Sequence, residues 1–321
     1  MPLIEKSDYK APFHYRNGHV STILPSLLKN EKVDDYERER IELTDGDFLD
    51  LDWIKTDDSK KLVIISHGLE GSSKRHYVLS CARYFHNKGW NVLAWNCRSC
   101  SEEMNRLPRL YHHGATDDLG AVIDHAINLG YQRISLIGYS MGGSMSLKYL
   151  GEAGDSISSK IIGAAVFSVP CNLGNSAEML VKSRNRIYKQ RFLKKLKRKI
   201  IKKAKQFPDE IDITGIKQLK TFEEFDSRYT APLHGFRDRD DFYSKATCDQ
   251  YIPKIKVPSL IVNALNDPLL GESCYPFELT KDHKNVFLET PKRGGHVGFP
   301  IGRNKHSWSE IRAFEFLEGL D

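Results

Sequence analysis

The sequence predicts an α/β fold: a mostly parallel sheet with helices on both faces. Two observations carry that prediction. Short continuous apolar runs of strand length recur between residues 62 and 289, with helical stretches between most of them, as in a sheet buried on both sides. The third of these runs leads through Gly138-Tyr139-Ser140-Met141-Gly142 into a helical stretch. Gly-x-Ser-x-Gly at a strand-to-helix joint is the nucleophile-elbow pattern.

Taken in order, the segment 12–25 is aromatic and reads as a loop. Residues 37–43 and 48–53 alternate apolar and polar around Thr44-Asp45-Gly46-Asp47, the composition of an antiparallel hairpin. Strands are expected at 62–66, 91–95, 133–137, 161–168, 259–264 and 286–289. Helices are expected at 74–88, at 116–129 with Asp117 and Asp118 suiting the dipole of its first turn, from residue 144 onward, and at about 307–319. Residues 170–250 break the alternation. Within them Phe192, Leu193, Leu196, Ile200, Ile201 and Ala204 fall near helical spacing among basic residues, an amphipathic helix. An insertion between the fourth and fifth strands tends to cover the crevice at the strand C-termini. The reading is one α/β domain over 1–321 with a lid at 170–250.

Composition narrows the class. The chain has 321 residues, 28% charged and 40% hydrophobic, an ordinary globular balance. Met1 to Asp8 contains no apolar signal core, and no run approaches a membrane span; a soluble, cytoplasmic protein is expected. The six cysteines do not suggest a disulfide framework. Cys97-Arg98-Ser99-Cys100 has no second pair to complete a zinc site, so reduced structural thiols are expected. The net charge is +6, yet residues 181–206 hold thirteen Lys and Arg and no acid. Without that block the remainder carries −7, so the basicity is local. The block reads first as a solvated lid face and second as a weak contact with an anionic membrane surface. A nucleic-acid contact comes last, because no such motif accompanies it.

The chemistry is read from position. Gly138 and Gly142 spare a tight turn the clash of a Cβ, and Ser140 would stand clear of the sheet. Read alone, the same residues are also an ordinary βα turn with a capping serine. A serine needs a base, and the base an orienting acid; in hydrolases with this elbow the chain order is Ser, Asp or Glu, His. Asp267 follows the fifth strand in Asn266-Asp267-Pro268, which also suits a plain turn. His296 follows the last strand in Gly294-Gly295-His296-Val297-Gly298. All three lie past strand ends, in that order. His67-Gly68-Leu69 follows the first buried strand, where the second oxyanion donor is usual. The Leu69 and Met141 N–H groups are the candidate oxyanion hole, and His67, which precedes the serine, is read as structural. Arg98, Tyr111 and His112 are read as ordering their loop rather than touching substrate.

These residues reach a resemblance. Gly18-His19 with Thr22-Ile23, His67-Gly68-Leu69-Glu70-Gly71, residues 96–100, 105–114, 167–171 and 231–236, and Gly294-Gly295-His296-Val297-Gly298-Phe299 are together similar to the YheT-like α/β-hydrolases. The resemblance spans nearly the whole chain. It implies a carboxylesterase for short- to medium-chain acyl esters, with Ser140, Asp267 and His296 matching the family triad and no metal or organic cofactor. Eukaryotic relatives include acylglycerol and phospholipid hydrolases and acyl-CoA:alcohol acyltransferases. Two positions depart from the family pattern: Ser99 stands where the family usually has Gly, and His113 where it usually has Ser. The expected reaction is ester hydrolysis through an acyl-enzyme on a small-molecule substrate. Transfer of the acyl group to an alcohol is the first alternative and lipid hydrolysis the second. A catalytically silent surface-binding protein is the third.

Overall fold

The computed structural model describes residues 3–4, 6–28, 36–56, 59–302 and 306–320. Their strands form one sheet: β1 (Leu3–Ile4), β2 (Glu37–Glu42), β3 (Phe48–Ile54), β4 (Lys61–Ser66), β5 (Asn91–Asn96), β6 (Arg133–Tyr139), β7 (Ile161–Phe167), β8 (Ser259–Val262) and β9 (Val286–Glu289). The order across it is β1-β9-β8-β7-β6-β4-β5-β3-β2. Every pairing from β1 to β5 is parallel, and β3 pairs antiparallel with both β5 and β2. The N-terminal hairpin is thus present on a mostly parallel sheet. The short β1 pairs with β9 and carries no sequence signal.

Alternation along the strands divides the core. Ile64, Leu93, Leu136, Val166 and Ile261 face α3 (Thr116–Asn128) and α4 (Met141–Ala153). Ile65, Ala94, Ile137, Phe167 and Val262 face α2 (His76–His86) and α11 (Trp308–Glu318). Both faces are apolar because both are covered, which is why the central strands read as continuous apolar runs. The edge differs: β3 is buried along its whole length, Asp50 and Asp52 included. Its partner β2 places Arg40 opposite Asp50 and Arg38 opposite Asp52. Each arginine Nε lies 2.8 Å from its carboxylate.

One expectation is overturned. The segment 12–25 is not all loop, because α1 spans Gly18–Leu28 with Pro25 inside it. The Asn17 Oδ1 accepts from the His19 and Val20 N–H groups at 2.9 and 3.3 Å and so caps the helix start. Pro25 has no N–H for the preceding turn, but Ser21 and Pro25 are buried against the rest of the fold, and that packing outweighs propensity.

Between β7 and β8 the chain is helical: α5 (Leu173–Val181), α6 (Arg186–Gln206), α7 (Phe222–Phe225), a π turn (Asp226–Thr230), α8 (Ala231–Leu233) and α9 (Arg239–Ala246). The short α10 (Phe277–Thr280) lies between β8 and β9. Leu193, Leu196, Ile200 and Ala204 are the buried apolar stripe of α6. The expectation that its basic residues form a solvated face holds only in part. Lys195, Lys199 and Lys203, spaced four apart, turn inward: Lys195 to the Glu70 carbonyl, Lys199 to the Glu70 carboxylate and Lys203 to the Asn105 carbonyl. Side chains four apart share a helix face, so one stripe of cations is used for docking. No described helix is long and apolar enough to cross a membrane. The six cysteines are free and buried.

Candidate active site

The site lies at the C-terminal ends of β4, β6, β8 and β9, where β4 sits between β6 and β5 and successive connections leave in opposite directions. This is the crevice where open α/β sheets bind ligands. Ser140 follows β6 directly and has φ 53° and ψ −117°, a strained conformation for a residue with a Cβ. The flanking glycines make the turn feasible. A Cβ on Gly138 would meet the Gly142 carbonyl oxygen at 2.5 Å, and one on Gly142 the Ser66 carbonyl oxygen at 2.2 Å. Ser140 occupies the cap position of α4, yet its side chain makes no capping hydrogen bond. Its hydroxyl points instead at His296.

The Nε2 of His296 lies 2.9 Å from the Ser140 Oγ, and its Nδ1 lies 2.8 Å from the Asp267 Oδ2. With Nδ1 protonated the ring donates to the carboxylate and accepts from the serine hydroxyl. Asp267 is buried, and its Oδ1 accepts the Leu269 N–H at 2.8 Å, so the carboxylate is aimed from both oxygens. The backbone beside His296 is held from elsewhere. The His296 N–H donates to the Thr22 Oγ1 of α1 at 2.8 Å, and the Val297 N–H donates to the Ser168 Oγ at 2.8 Å. Neither Thr22 nor Ser168 was assigned a role by sequence reasoning. Thr22 stands in a quoted motif but signals no partner, because 274 positions separate it from the backbone it supports.

The turn after β4 supplies the second wall. The Gly68 N–H donates to the Tyr77 Oη at 3.0 Å and the Glu70 N–H to the Tyr111 Oη at 2.9 Å. Among the described residues the Leu69 N–H between them has no acceptor. Met141 is the first residue of α4, so its N–H has no helical acceptor either. His67 is fully buried and has a pKa pushed down to about 4 by burial. Its neutral ring donates from Nδ1 to the Gly68 carbonyl at 2.8 Å, while Nε2 accepts the Cys97 N–H at 3.2 Å. This is the structural place expected of it.

Glu70 is the junction of the site with α6. Its carboxylate accepts from the Tyr111 Oη at 2.6 Å and pairs with the Lys199 Nζ at 2.8 Å. Burial would raise its pKa, but the Lys199 ammonium overrides that and holds the carboxyl below its ordinary value. Tyr111 thus orders a loop, as does Arg98, which is buried against Asp118 and Asp47 at 2.7 and 2.8 Å. Ser99 has φ 58°, a conformation glycine adopts without strain. Its hydroxyl donates to the Asn105 Oδ1 at 2.5 Å and accepts the Asn105 N–H at 3.1 Å, which offsets the strain of a serine there.

Two cavities meet at Ser140 and His296. The inner one, about 80 Å³, is lined by apolar side chains including Leu173, Leu180, Leu196, Phe222 and Phe242. His113 lines it too, with its pKa pushed down to about 4 by burial. Asp226 also faces this cavity; it is pushed up to about 6 by burial and is hydrogen-bonded by Thr230 and Tyr243 at 2.6 and 2.9 Å. The outer cavity, about 310 Å³, runs between α1, α2 and α6. Chemically the arrangement offers a hydroxyl beside an imidazole, two N–H groups without an acceptor among the described residues, and space on both sides of the reacting atom.

Residues 61–302 match the model of the alpha/beta hydrolase fold family. The chain is 30% identical to YheT of Escherichia coli (strain K12), which carries a provisional esterase name, over 94% of this chain and 91% of that protein. It is likewise 30% identical to the phospholipase ABHD3 of Mus musculus, over 94% of this chain and 75% of that one. The Pyrococcus furiosus esterase Pf2001 superposes with a TM-score of 0.61 at 21% identity, covering 92% of this chain and 96% of that one; at that identity the likeness shows the fold alone. With most of the sheet inside the matched region and YheT matched nearly end to end, the chain belongs to the YheT-like group of the alpha/beta hydrolase family.

Proposed function

We propose that the protein is a serine carboxylic-ester hydrolase for short- to medium-chain acyl esters. One observation carries the reading: the unbroken line from the Asp267 Oδ2 through the His296 ring to the Ser140 Oγ, with contacts of 2.8 and 2.9 Å. Ser140 attacks the ester carbonyl as His296 Nε2 takes its proton. Asp267 holds the Nδ1–H tautomer and stabilises the imidazolium. The Leu69 and Met141 N–H groups receive the developing oxyanion, a contribution whose loss typically slows turnover about a hundred-fold or more. His296 then returns the proton to the leaving alcohol, and water releases the acyl-enzyme by the same steps in reverse order. The helical segment 170–250 acts as the lid of the site. In this reading the acyl chain lies in the inner cavity, whose roughly 80 Å³ is on the order of two or three water volumes and suits a short chain.

Ser140→Ala should fold as the parent does and lose hydrolysis of p-nitrophenyl butyrate, along with covalent labelling by a fluorophosphonate. Turnover close to that of the parent would remove Ser140 from the mechanism. Product analysis with ethanol present identifies the acceptor: free acid means hydrolysis, ethyl ester means acyl transfer. A weak contact with anionic membrane surfaces through 181–206 belongs to the same reading. Ile187, 68% exposed, stands among exposed basic residues of α6, and this mixture suits a lipid interface. Vesicle sedimentation tests it, and equal binding to anionic and neutral lipid removes it.

A further inference from the structure

The outer cavity is charged in one sense. Lys74, Arg75, Arg191 and Lys195 line it, and among the described residues no Asp or Glu does. Lys74 is paired outside the cavity with Glu102. The other three have no carboxylate partner among the described residues. The Arg75 Nη2 and the Lys195 Nζ both donate to the Glu70 carbonyl, at 2.7 and 3.1 Å. The Glu70 carboxylate is already committed to Lys199 and Tyr111. Arg191 makes no hydrogen bond or ion pair with any described residue.

The three cations arrive from two directions, Arg75 from the start of α2 and Arg191 and Lys195 from adjacent turns of α6. Burial, and then the nearby Arg75 guanidinium, push the Lys195 pKa down to about 8. Positive groups held together without a counter-ion repel one another and cost stability. An entering anion would relieve that repulsion. The α2 N-terminus opens on the same space. Arg75 is its cap residue and makes no side-chain cap, while His76 and Tyr77 line the cavity; the positive end of the helix dipole adds to the field there. The cavity shares Leu69, Ser140, Phe192, Leu269 and His296 with the apolar inner one. An ester straddling Ser140 therefore has one apolar side and one cationic side.

We infer that the outer cavity is the subsite for the alcohol half of the ester and takes an alcohol bearing a phosphate-type anion, held by Arg75, Arg191 and Lys195. This rests on the hydrolase reading and narrows its substrate class. The guanidinium groups suit bidentate contact with phosphate oxygens, and Lys195 adds a third charge. Ser140 Oγ bonds to the acyl carbon, the acyl C–O bond breaks, and the alkoxide takes the proton that His296 received from Ser140. The phosphate ester itself stays intact. Water then attacks the acyl-enzyme, giving the free acid and restoring Ser140. A lipid headgroup and a small soluble phosphorylated alcohol offer the same anion.

The test compares 1-hexanoylglycerol 3-phosphate with 1-hexanoylglycerol, which share acyl chain and scissile bond, using the full chain. The phosphate ester should show a kcat/KM higher by about tenfold or more, the scale of a charge-assisted contact. That ratio should fall several-fold in Arg191→Ala and towards unity in Arg191→Ala with Lys195→Ala. Raising the salt should lower it as well. Because Lys195 also touches the Glu70 carbonyl, the single Arg191→Ala variant, which breaks no described contact, keeps the test independent of folding. Equal kcat/KM for the two soluble esters together with no preference for phosphatidic acid over diacylglycerol in vesicles, or a preference unchanged in Arg191→Ala, overturns the inference. Failure to cleave either ester overturns the hydrolase reading instead. Preference seen with the soluble ester identifies a free phosphorylated alcohol as sufficient. Preference confined to phosphatidic acid over diacylglycerol in vesicles identifies a lipid headgroup.

Discussion

Replacing Lys199 by methionine should damage both the stability and the chemistry of this protein, because Glu70 stands next to a proposed oxyanion donor. Glu70 has φ 54° and is 8% exposed, and its carboxylate lies 2.8 Å from the Lys199 Nζ. At that separation the Coulomb attraction is about 6 kcal/mol with an effective dielectric constant near 20. Desolvation of both ions consumes much of it. Removing one ion is different, since the other stays buried and unpaired at a cost of about 3–5 kcal/mol. That is a large share of a typical folding free energy of about 5–15 kcal/mol. Glu70 follows Leu69 directly, so a shift of its backbone moves the Leu69 N–H. The expected result for Lys199→Met is a marked drop in melting temperature and a kcat for p-nitrophenyl butyrate lower by about ten- to a hundred-fold, with KM changed less. Adding Glu70→Gln should restore most of the stability, because the orphan charge is gone. The pH dependence has a definite sign. The folded pKa of Glu70 lies below its ordinary 4.5, so the stability it confers is present above that value and is lost as pH falls through the folded pKa. In Lys199→Met the sign reverses: burial then raises the carboxyl's pKa, so the variant should regain stability as pH falls through the raised value. A variant that melts within about 1 °C of the parent and keeps its kcat would refute the reasoning.

Three further perturbations probe other parts of the site, and a fourth measurement probes the fold. Asp267→Asn should fold normally and lose about 10³- to 10⁴-fold in kcat by favouring the wrong tautomer of His296; steady-state kinetics beside circular dichroism would show it, and a loss under tenfold would contradict the role. Thr22→Val removes the acceptor of the His296 N–H and should lower kcat about tenfold, while Thr22→Ser keeps it; equal kcat in the two variants would deny Thr22 any positioning role. Gly142→Ala puts a Cβ 2.2 Å from the Ser66 carbonyl oxygen, so α4 must move off β4. Its melting temperature should fall by many degrees, and one close to that of the parent would show the turn to be less tight than described. Burial pushes His67, His113 and His234 down to about 4 and His112 below its ordinary value, while Asp226 is pushed up to about 6. The histidines make unfolding take up protons as pH falls below 6.5, and Asp226 takes one back. The net uptake of about three protons means a stability loss approaching 4 kcal/mol per pH unit near pH 5. Urea midpoints at pH 7 and pH 5 measure it, and equal midpoints would show that these rings are not buried neutral.

The parallel strands were legible because both faces are covered, so β4, β5 and β7 carry unbroken apolar runs. The elbow was legible because Gly138 and Gly142 are demanded by local backbone clashes, and a local demand leaves a local pattern. The helix α1 was not. Its cap at Asn17 is weakly marked, Pro25 argues against it, and its stabilising contacts are with the loop around His296, far along the chain. The basic run 181–206 was legible as an amphipathic helix, but charge alone does not say which lysines face inward. The spacing of Lys195, Lys199 and Lys203 was the available clue, and it acquires meaning only beside Glu70 and Asn105.

By itself the sequence determined the kind and order of the main strands and helices, the position of the serine turn, and the order of Ser140, Asp267 and His296 past successive strand ends. These depend on periodicity and backbone geometry within a few residues, which a linear chain displays directly. Tertiary structure alone decided that Thr22 supports His296, that Glu70 joins Lys199 to the turn after β4, and that Arg75, Arg191 and Lys195, with no carboxylate partner among the described residues, share one cavity while apolar side chains line the other. Ser140 and His296 are 156 positions apart. Contacts over such separations are chosen by how the elements pack, and no window of sequence contains both partners.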